Sequence, residues 1–283
     1  MTRLHCLHCG DGPPLIMVPA TISKIENWVG LAQFMGQRFR VTFFELPGHG
    51  QSSLLSPGPF SSARLAEVVG ALADALGHSR FSLMGFSFGG MLAMAALQHL
   101  RPRVEQVILA SPALTWRAFT FSPARRRGIL RAARLLRRPG ARSAVLRLAK
   151  SPAFGRAFGR LLRWFGRVEG TIPMREVFAK LTDSTLETLS YQFGETLEYE
   201  FPEAEPPFTQ PCYFGMSVRD PLLDFETTLA AAQKLFANLT VQRFDFPYHQ
   251  PPQPPSFAEV NREYARLLDW AGNKKAAGTS QQL

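Results

Sequence analysis

The residues best suited to chemistry in this sequence centre on a serine flanked by glycines. Ser87 stands in the segment Gly85-Phe-Ser-Phe-Gly89, directly after the apolar run Phe81–Met84 and before a stretch rich in Ala, Leu and Met. A tight turn between a strand and a helix strains its central residue and lifts that side chain clear of the backbone. We therefore expect Ser87 to be a nucleophile above the edge of a sheet. The alternative is a buried Gly/Ser turn without chemistry.

A serine hydroxyl is a weak nucleophile at neutral pH and needs a base, which in turn needs an orienting partner. Among six histidines, His249 is the best candidate for the base, because it stands in a loop between the last predicted strand and the last predicted helix. The other histidines are less well placed: His5 and His8 precede the fold proper, His49 and His78 stand in loops, and His99 lies roughly three turns along the helix that follows the serine.

The orienting acid should also lie at a sheet edge. Asp220 follows the predicted strand Cys212–Phe214 by a few residues, and Pro221 keeps the chain from becoming helical there. Asp224 competes for the role, but it directly precedes a predicted helix and is more simply explained as its N-cap. The sequence therefore favours Asp220 and leaves Asp224 as the alternative.

The elements that would position these residues alternate along the chain. Up to residue 110, apolar runs and helical spacing predict strand, helix, strand, helix, strand, helix, strand. The alternation resumes after residue 207, with strands at Cys212–Phe214 and Val241–Phe244 and helices at Phe225–Phe236 and Ala258–Trp270. This pattern predicts the α/β class, with a mostly parallel central sheet and helices on both faces.

Three segments carry further predictions. Ser23–Phe34 has large apolar residues at helical spacing, and Ser23 could cap that helix. His5–Cys9 holds four metal-capable side chains, but a structural zinc site needs a second ligand pair, so we expect an edge strand and no metal. The uncharged run Phe81–Leu100 is long enough to cross a membrane, yet its glycines favour a strand, a turn and a buried helix.

Positive charge is concentrated in one block of the chain. The net charge is +10, yet residues 117–175 alone hold 15 Arg and one Lys against a single acidic residue. Residues 112–205 contain no convincing strand and have amphipathic helical patterns, including residues 154–167, so we expect an Arg-rich helical cap. The predicted organisation is an α/β core at 1–111 and 208–271, the cap at 112–207, and a disordered polar tail at 272–283.

With these residues, the chain resembles the α/β-hydrolase fold superfamily. The segment around Ser87 resembles its nucleophile elbow, and Glu45-Leu-Pro-Gly-His-Gly-Gln-Ser52 resembles its D-x-P-G-H-G-x-S segment. The chain order Ser87, Asp220, His249 is also that of the family. The resemblance covers residues 10–111 and 208–270 and implies that these three residues form a catalytic triad.

The resemblance also implies an oxyanion hole made by the backbone N–H groups of Phe88 and Thr21. Two departures affect this site. Pro19-Ala20 stands where the family usually has His-Gly, and Tyr248-His249 stands where it often has Gly-His. Because backbone donors tolerate changes of side chain, neither departure removes a reacting group.

The function implied is a serine hydrolase that cleaves an ester or thioester of a hydrophobic acyl compound through an acyl-enzyme intermediate, without metal or organic cofactor. The same scaffold also hosts C–C bond hydrolases, haloperoxidase-like enzymes, acyltransferases and non-catalytic ligand-binding homologues, so these remain alternatives. A triad alone does not decide among the catalytic classes.

The arginine block has several interpretations. It could be a solvated face of the cap helices, receive the anionic tail of a substrate such as a coenzyme A or carrier-protein thioester, or rest on an anionic membrane surface. Nucleic acid is not an expected partner, because no base-reading module accompanies the charge. Three cysteines and an N-terminus without a signal-peptide pattern favour a cytoplasmic location.

Overall fold

One seven-stranded sheet organises the described part of the chain in this computed structural model, namely residues 2–21, 23–55, 58–149, 182–201, 207–251 and 253–277. The strands are β1 (Cys6–Cys9), β2 (Pro14–Val18), β3 (Arg40–Phe44), β4 (Phe81–Phe86), β5 (Val104–Ala110), β6 (Cys212–Ser217) and β7 (Leu239–Phe244). Their order across the sheet is β1-β3-β2-β4-β5-β6-β7. Only the β1–β3 pair is antiparallel among these strands, which confirms the predicted mostly parallel sheet.

Helices flank this sheet on both faces. They are α1 (Val29–Gly36), α2 (Ser62–Ala75), α3 (Phe88–Leu100), α4 (Pro123–Leu136), α5 (Pro139–Ala149), α6 (Asp183–Thr196), α7 (Phe225–Leu235) and α8 (Phe257–Ala277). Short 3-10 turns occupy Ile25–Asn27, Arg101–Arg103 and Trp116–Ala118. Helices α2, α3 and α7 share one core cluster with the sheet, while α1 and α8 share the other. Alternate side chains of each strand therefore enter opposite cores.

Several predicted elements are confirmed. The uncharged run Phe81–Leu100 forms β4, a turn and α3. Within the described ranges, no helix combines the length and the apolar character needed to cross a bilayer. Within the segment His5–Cys9, residues Cys6–Cys9 form the edge strand β1, and the His8 Nδ1 lies 3.1 Å from the Thr42 hydroxyl on β3.

The helix predicted at Ser23–Phe34 begins later than expected, and Ser23 does not cap it. The chain is still extended at Lys24, passes through the 3-10 turn, and becomes α-helical only at Val29. The Ser23 N–H donates instead to the carbonyl of Ala20, at 3.3 Å. The cap prediction was wrong because this serine completes the loop that leaves β2.

The end of the chain also differs from expectation. Helix α8 continues to Ala277 and thus includes the first six residues of the predicted disordered tail at 272–283. Lysine and alanine favour the helical state, and they make up the last four residues of that extension. Residues 278–283 lie outside the described residues.

Between β5 and β6, the described chain contains three helices and no strand. Helix α4 packs on α6, with Leu130 and Ala133 buried. Arg142 of α5 is buried and makes ion pairs with Asp183 at 2.9 Å and Glu187 at 3.1 Å, so α5 is tied to α6. The predicted amphipathic segment 154–167 lies outside the described residues.

Candidate active site

Ser87 occupies a strained turn between β4 and α3. Its backbone has φ 53° and ψ −119°, a region that residues with a Cβ rarely adopt. The Ser87 N–H donates to the Ala110 carbonyl at 3.0 Å, and the Ser87 carbonyl accepts from Gly90 and Ala113, both at 2.9 Å. These contacts hold the conformation that the elbow motif predicts for the central residue.

The glycines around the turn are required by close backbone approach. A Cβ at Gly85 would overlap the carbonyl oxygen of Gly89, and a Cβ at Gly89 would overlap that of Val18. A Cβ at Gly90 would lie 2.5 Å from the Cβ of Pro112. The helix can therefore begin directly after Ser87, at Phe88.

The structure brings the three predicted triad side chains together. The Nε2 of His249 lies 2.7 Å from the Oγ of Ser87, and its Nδ1 lies 2.6 Å from Oδ2 of Asp220. The Asp220 side chain is fully buried. Because its carboxylate can only accept from Nδ1–H, the imidazole presents the lone pair of Nε2 to the serine hydroxyl.

The second oxygen of the acid is also held. Oδ1 of Asp220 accepts from the N–H groups of Leu222 at 2.8 Å and Leu223 at 3.1 Å. The competing Asp224 serves as the N-cap of α7, as predicted, with its Oδ1 accepting from the Thr227 N–H at 2.8 Å. Hydrogen bonds from Thr227 lower the pKa of Asp224.

Aromatic rings support the imidazole. The ring centroids of Phe86 and His249 lie 5.2 Å apart, and those of Trp28 and Phe86 lie 5.3 Å apart. Trp28 and Phe86 also line an apolar cavity of about 10 Å³ beside Pro19 and Ala20, a space the size of one water molecule. The wall behind the imidazole is thus largely apolar.

The two predicted oxyanion donors lie at the start of α3 and in the turn after Pro19-Ala20. Phe88 is buried. Because it is the first residue of α3, its N–H lies at the positive end of the helix dipole. Thr21 is half-buried in the turn that follows Pro19-Ala20, and Gly89 packs against the carbonyls of Val18 and Pro19. The participation of the Phe88 and Thr21 N–H groups in an oxyanion hole stays a prediction.

The segment Glu45–Ser52, which resembles D-x-P-G-H-G-x-S, makes structural contacts within the fold. Glu45 is buried and accepts from the Gln51 N–H at 2.7 Å, while His5 Nδ1 lies 3.1 Å from its carboxylate. Gly50 has φ +52°, and a Cβ there would overlap that carboxylate. A loop this tight explains the glycine-rich spacing.

His49 makes a contact that the sequence did not reveal. Its Nε2 lies 3.1 Å from Nε2 of Gln192 on α6, and both side chains are buried. Burial lowers the pKa of His49 to about 4, so the ring is neutral at pH 7 and accepts from the amide of Gln192. Nothing in the sequence pairs these two residues, which are 143 positions apart.

The described residues contain no group of three or more His, Cys, Asp or Glu side chains arranged to hold a metal ion. In and just before β1, the Cys9 thiol donates to the Ala32 carbonyl at 3.2 Å, and the His5 and His8 rings contact Glu45 and Thr42. The metal-capable side chains of this strand therefore serve separate contacts.

A strained serine at a strand–helix turn, joined to a histidine and a buried acid from later strands, places this protein in a known class. The family model for the alpha/beta hydrolase fold matches residues 13–180, and the chain belongs to this family.

Curated relatives and solved structures are consistent with that assignment. Over 111 residues the chain is 31% identical to a pimeloyl-[acyl-carrier protein] methyl ester esterase of Nitrosomonas europaea, which covers 39% of this chain and 42% of the relative. It is 30% identical over 111 residues to an N-formylmaleamate deformylase of Pseudomonas putida, which covers 39% of this chain and 41% of the relative. These matches span about two fifths of the relatives' lengths. A thermophilic esterase from Thermogutta terrifontis superimposes with a TM-score of 0.67 at 20% identity, over 95% of this chain and 93% of that one.

Proposed function

We propose that the protein is a serine hydrolase that cleaves an ester or thioester of a hydrophobic acyl compound through an acyl-enzyme intermediate. The observation that carries the proposal is the pair of contacts at His249, 2.7 Å to Ser87 Oγ and 2.6 Å to Asp220 Oδ2. A base within hydrogen-bonding distance of the hydroxyl, oriented by a buried acid, is the arrangement that activates serine.

In the first half-reaction, Ser87 Oγ attacks the carbonyl carbon while His249 Nε2 takes the hydroxyl proton. Asp220 holds the imidazole and stabilises the positive charge that it gains. The N–H groups of Phe88 and Thr21 stabilise the oxyanion of the tetrahedral intermediate. When that intermediate collapses, the bond to the leaving group breaks, and His249 donates its proton to the departing alcohol or thiol.

In the second half-reaction, water replaces the leaving group. His249 Nε2 takes a proton from the water, whose oxygen attacks the carbonyl carbon of the acyl-enzyme. Collapse of the second tetrahedral intermediate breaks the bond between the acyl carbon and Ser87 Oγ, which regains its proton from His249. The carboxylic acid leaves, and the serine hydroxyl is restored without any cofactor.

The hydrophobic acyl portion is supported by the side chains around the serine. Phe86 and Trp28 form an aromatic wall beside the imidazole. Such surfaces bind alkyl groups by removing apolar area from water. The esterase named among the curated relatives agrees with cleavage of an ester.

The insert of α4 to α6 is proposed to act as a cap over this site. Its first residues are joined to the acid loop, since the Thr120 N–H donates to the Leu222 carbonyl at 3.0 Å. Its last helix is joined to the core by the His49–Gln192 contact and by Glu195, which accepts from the Ser62 N–H at 2.9 Å. Both ends of the insert therefore contact loops of the core.

We also propose that the protein acts in the cytoplasm. Three cysteines in 283 residues are too few for a disulfide framework. Fractionation of the native source with antibody detection tests this, and recovery in a secreted fraction would contradict it.

A chain-length series of p-nitrophenyl esters, run beside acyl-coenzyme A substrates, tests the proposed activity. We expect kcat/KM to rise with acyl length until the pocket is filled. The Ser87→Ala variant should lose a factor on the order of 10⁴–10⁶ in kcat. No hydrolysis of any ester or thioester, or turnover that survives in this variant, would overturn the proposal.

A further inference from the structure

We propose that one side of α4 is a docking surface for a bilayer of anionic phospholipids. Arg127, Arg131 and Arg134 recur at intervals of three or four residues and therefore lie on one side of the helix. Arg138, just beyond the C-cap Arg137, lines a surface depression together with Arg131 and Arg134. All four are exposed. We call these four residues the arginine face. The inference goes beyond the proposed chemistry at Ser87 and does not depend on it.

A neighbouring side of α4, about a quarter turn around the helix, packs on the rest of the insert. Leu130 and Ala133 are buried there. Arg126 donates from Nε to the Leu197 carbonyl at 2.8 Å, and the guanidinium of Arg137 lies 4.6 Å from the ring centroid of Tyr191. These two arginines stabilise the insert, whereas the four residues of the arginine face are exposed to solvent.

The charge of the arginine face is poorly neutralised. Arg134 makes an exposed ion pair with Glu198 at 3.0 Å, and exposed pairs of this kind contribute little. Elsewhere in the described chain, no acidic side chain forms an ion pair with Arg127, Arg131 or Arg138. Two acids of α6, Asp183 and Glu187, are engaged by the buried Arg142. The third, Glu195, accepts from the Ser62 N–H. A strip of positive charge therefore faces solvent.

An exposed leucine accompanies this charge and selects the partner. Leu135 is 53% exposed, and with three residues of the arginine face it lines a shallow depression of about 240 Å³. Arginine forks bind phosphate bidentately, and leucine gains by entering the acyl boundary of a bilayer. A soluble anion would account for the arginines and not for the exposed leucine.

The position of α4 gives such docking a consequence for the site. The helix starts three residues after Thr120, whose N–H donates to Leu222 in the loop that carries Asp220. The arginine face is thus borne by the helix that leaves the rim of the candidate active site. A protein bound through this face would hold that rim close to the lipid surface.

Co-sedimentation of the full chain with vesicles tests the proposal. We expect binding to mixed phosphatidylcholine–phosphatidylglycerol vesicles, no binding to phosphatidylcholine alone, and release at high salt, where screening weakens charge attraction. Each arginine near an anionic surface contributes about a fivefold factor, so the triple variant Arg127→Gln/Arg131→Gln/Arg138→Gln should partition on the order of 100-fold less. Leu135→Gln should reduce binding about fivefold.

The matched control removes three positive charges from the surface of the α/β part of the chain, outside the insert. Arg80→Gln/Arg262→Gln/Arg266→Gln should bind anionic vesicles within about threefold of the unmodified chain, because those residues lie on other elements. Circular dichroism checks that both triple variants are folded. Ser87→Ala should bind vesicles like the parent chain, so failure of the chemistry and failure of docking are distinguished.

Three results would overturn the proposal. The first is equal binding to neutral and anionic vesicles, or none to either. The second is equal loss in the two triple variants. The third is unchanged vesicle binding in the arginine-face variant together with a raised KM for acyl-coenzyme A, which would assign the face to a soluble anionic substrate.

Discussion

The Nε2 of His249 lies 2.7 Å from the Oγ of Ser87, although 162 positions separate the two residues in the chain. The serine follows β4, and the histidine follows β7 at the far edge of the sheet. Parallel strands direct their carboxyl ends to one edge, where loops from distant strands meet. The contact therefore arises from the order of the strands in the sheet. Substitutions in either loop should affect this contact without disturbing the sheet.

Two substitutions at Ser87 should have the same effect on catalysis but different effects on stability, because the backbone at this residue is strained. Both Ser87→Ala and Ser87→Gly remove the nucleophile and should abolish turnover. The backbone at φ 53° and ψ −119° favours glycine, so the glycine variant should be more stable than the alanine variant by about 1 kcal/mol. Urea denaturation of the two variants measures the difference. Equal stabilities would show that the turn is not strained.

The two competing aspartates should respond in opposite ways. Asp220→Asn should lower kcat by about 10⁴ with little loss of stability, because the amide favours the wrong imidazole tautomer. Asp224→Ala should leave kcat unchanged and reduce the free energy of unfolding by about 1 kcal/mol, since it removes the N-cap of α7. Steady-state kinetics and thermal melts compare the pair. The interchange of the two phenotypes would refute the assignment of the acid.

Alanine substitutions of a glycine in the elbow and of a glycine in the insert should have opposite effects on stability. Gly89→Ala should destabilise the fold by about 2–3 kcal/mol, because the new Cβ overlaps the Val18 carbonyl and lies 2.8 Å from that of Pro19. Gly128→Ala is the control, since a Cβ there meets no atom within 4 Å, and it should stabilise α4 by about 1 kcal/mol. Chemical denaturation distinguishes them, and a stable, active Gly89→Ala variant would contradict the packing described.

The buried His49 should make stability depend on pH. Its pKa falls from 6.5 to about 4 on folding, so the unfolded chain binds the proton more readily. The stabilisation is present above pH 6.5 and is lost as pH falls toward 4, at up to about 1.4 kcal/mol per pH unit. His49→Gln should show a shallower fall over this window in denaturation curves. Parallel curves for the two proteins would exclude this contribution.

Much of this architecture is predictable because hydrophobic periodicity reports which faces are buried. Apolar runs in the sequence predicted the central strands. The glycines between Phe81 and Leu100 indicated that this run forms a strand followed by a helix and does not form a membrane-spanning helix. The distinction between Asp220 and Asp224 followed from Pro221 and from the helix after Asp224. These signals are local, so a single sequence contains them.

Features that depend on tertiary contact were missed. Ser23 has the residue type of a cap, yet its N–H completes a loop with Ala20, and local propensity does not report that competition. The burial of His49 requires Gln192 from a distant helix. Neither residue shows a pattern from which the pairing could be predicted.

Reaction with a fluorophosphonate, followed by intact-mass and peptide mass spectrometry, tests the central claim most directly. The proposed mechanism predicts one covalent adduct per chain, located on Ser87, absent in Ser87→Ala and strongly slowed in His249→Ala. It would be contradicted by no adduct on the folded protein, by modification at another residue, or by labelling of Ser87 at an unchanged rate without the imidazole.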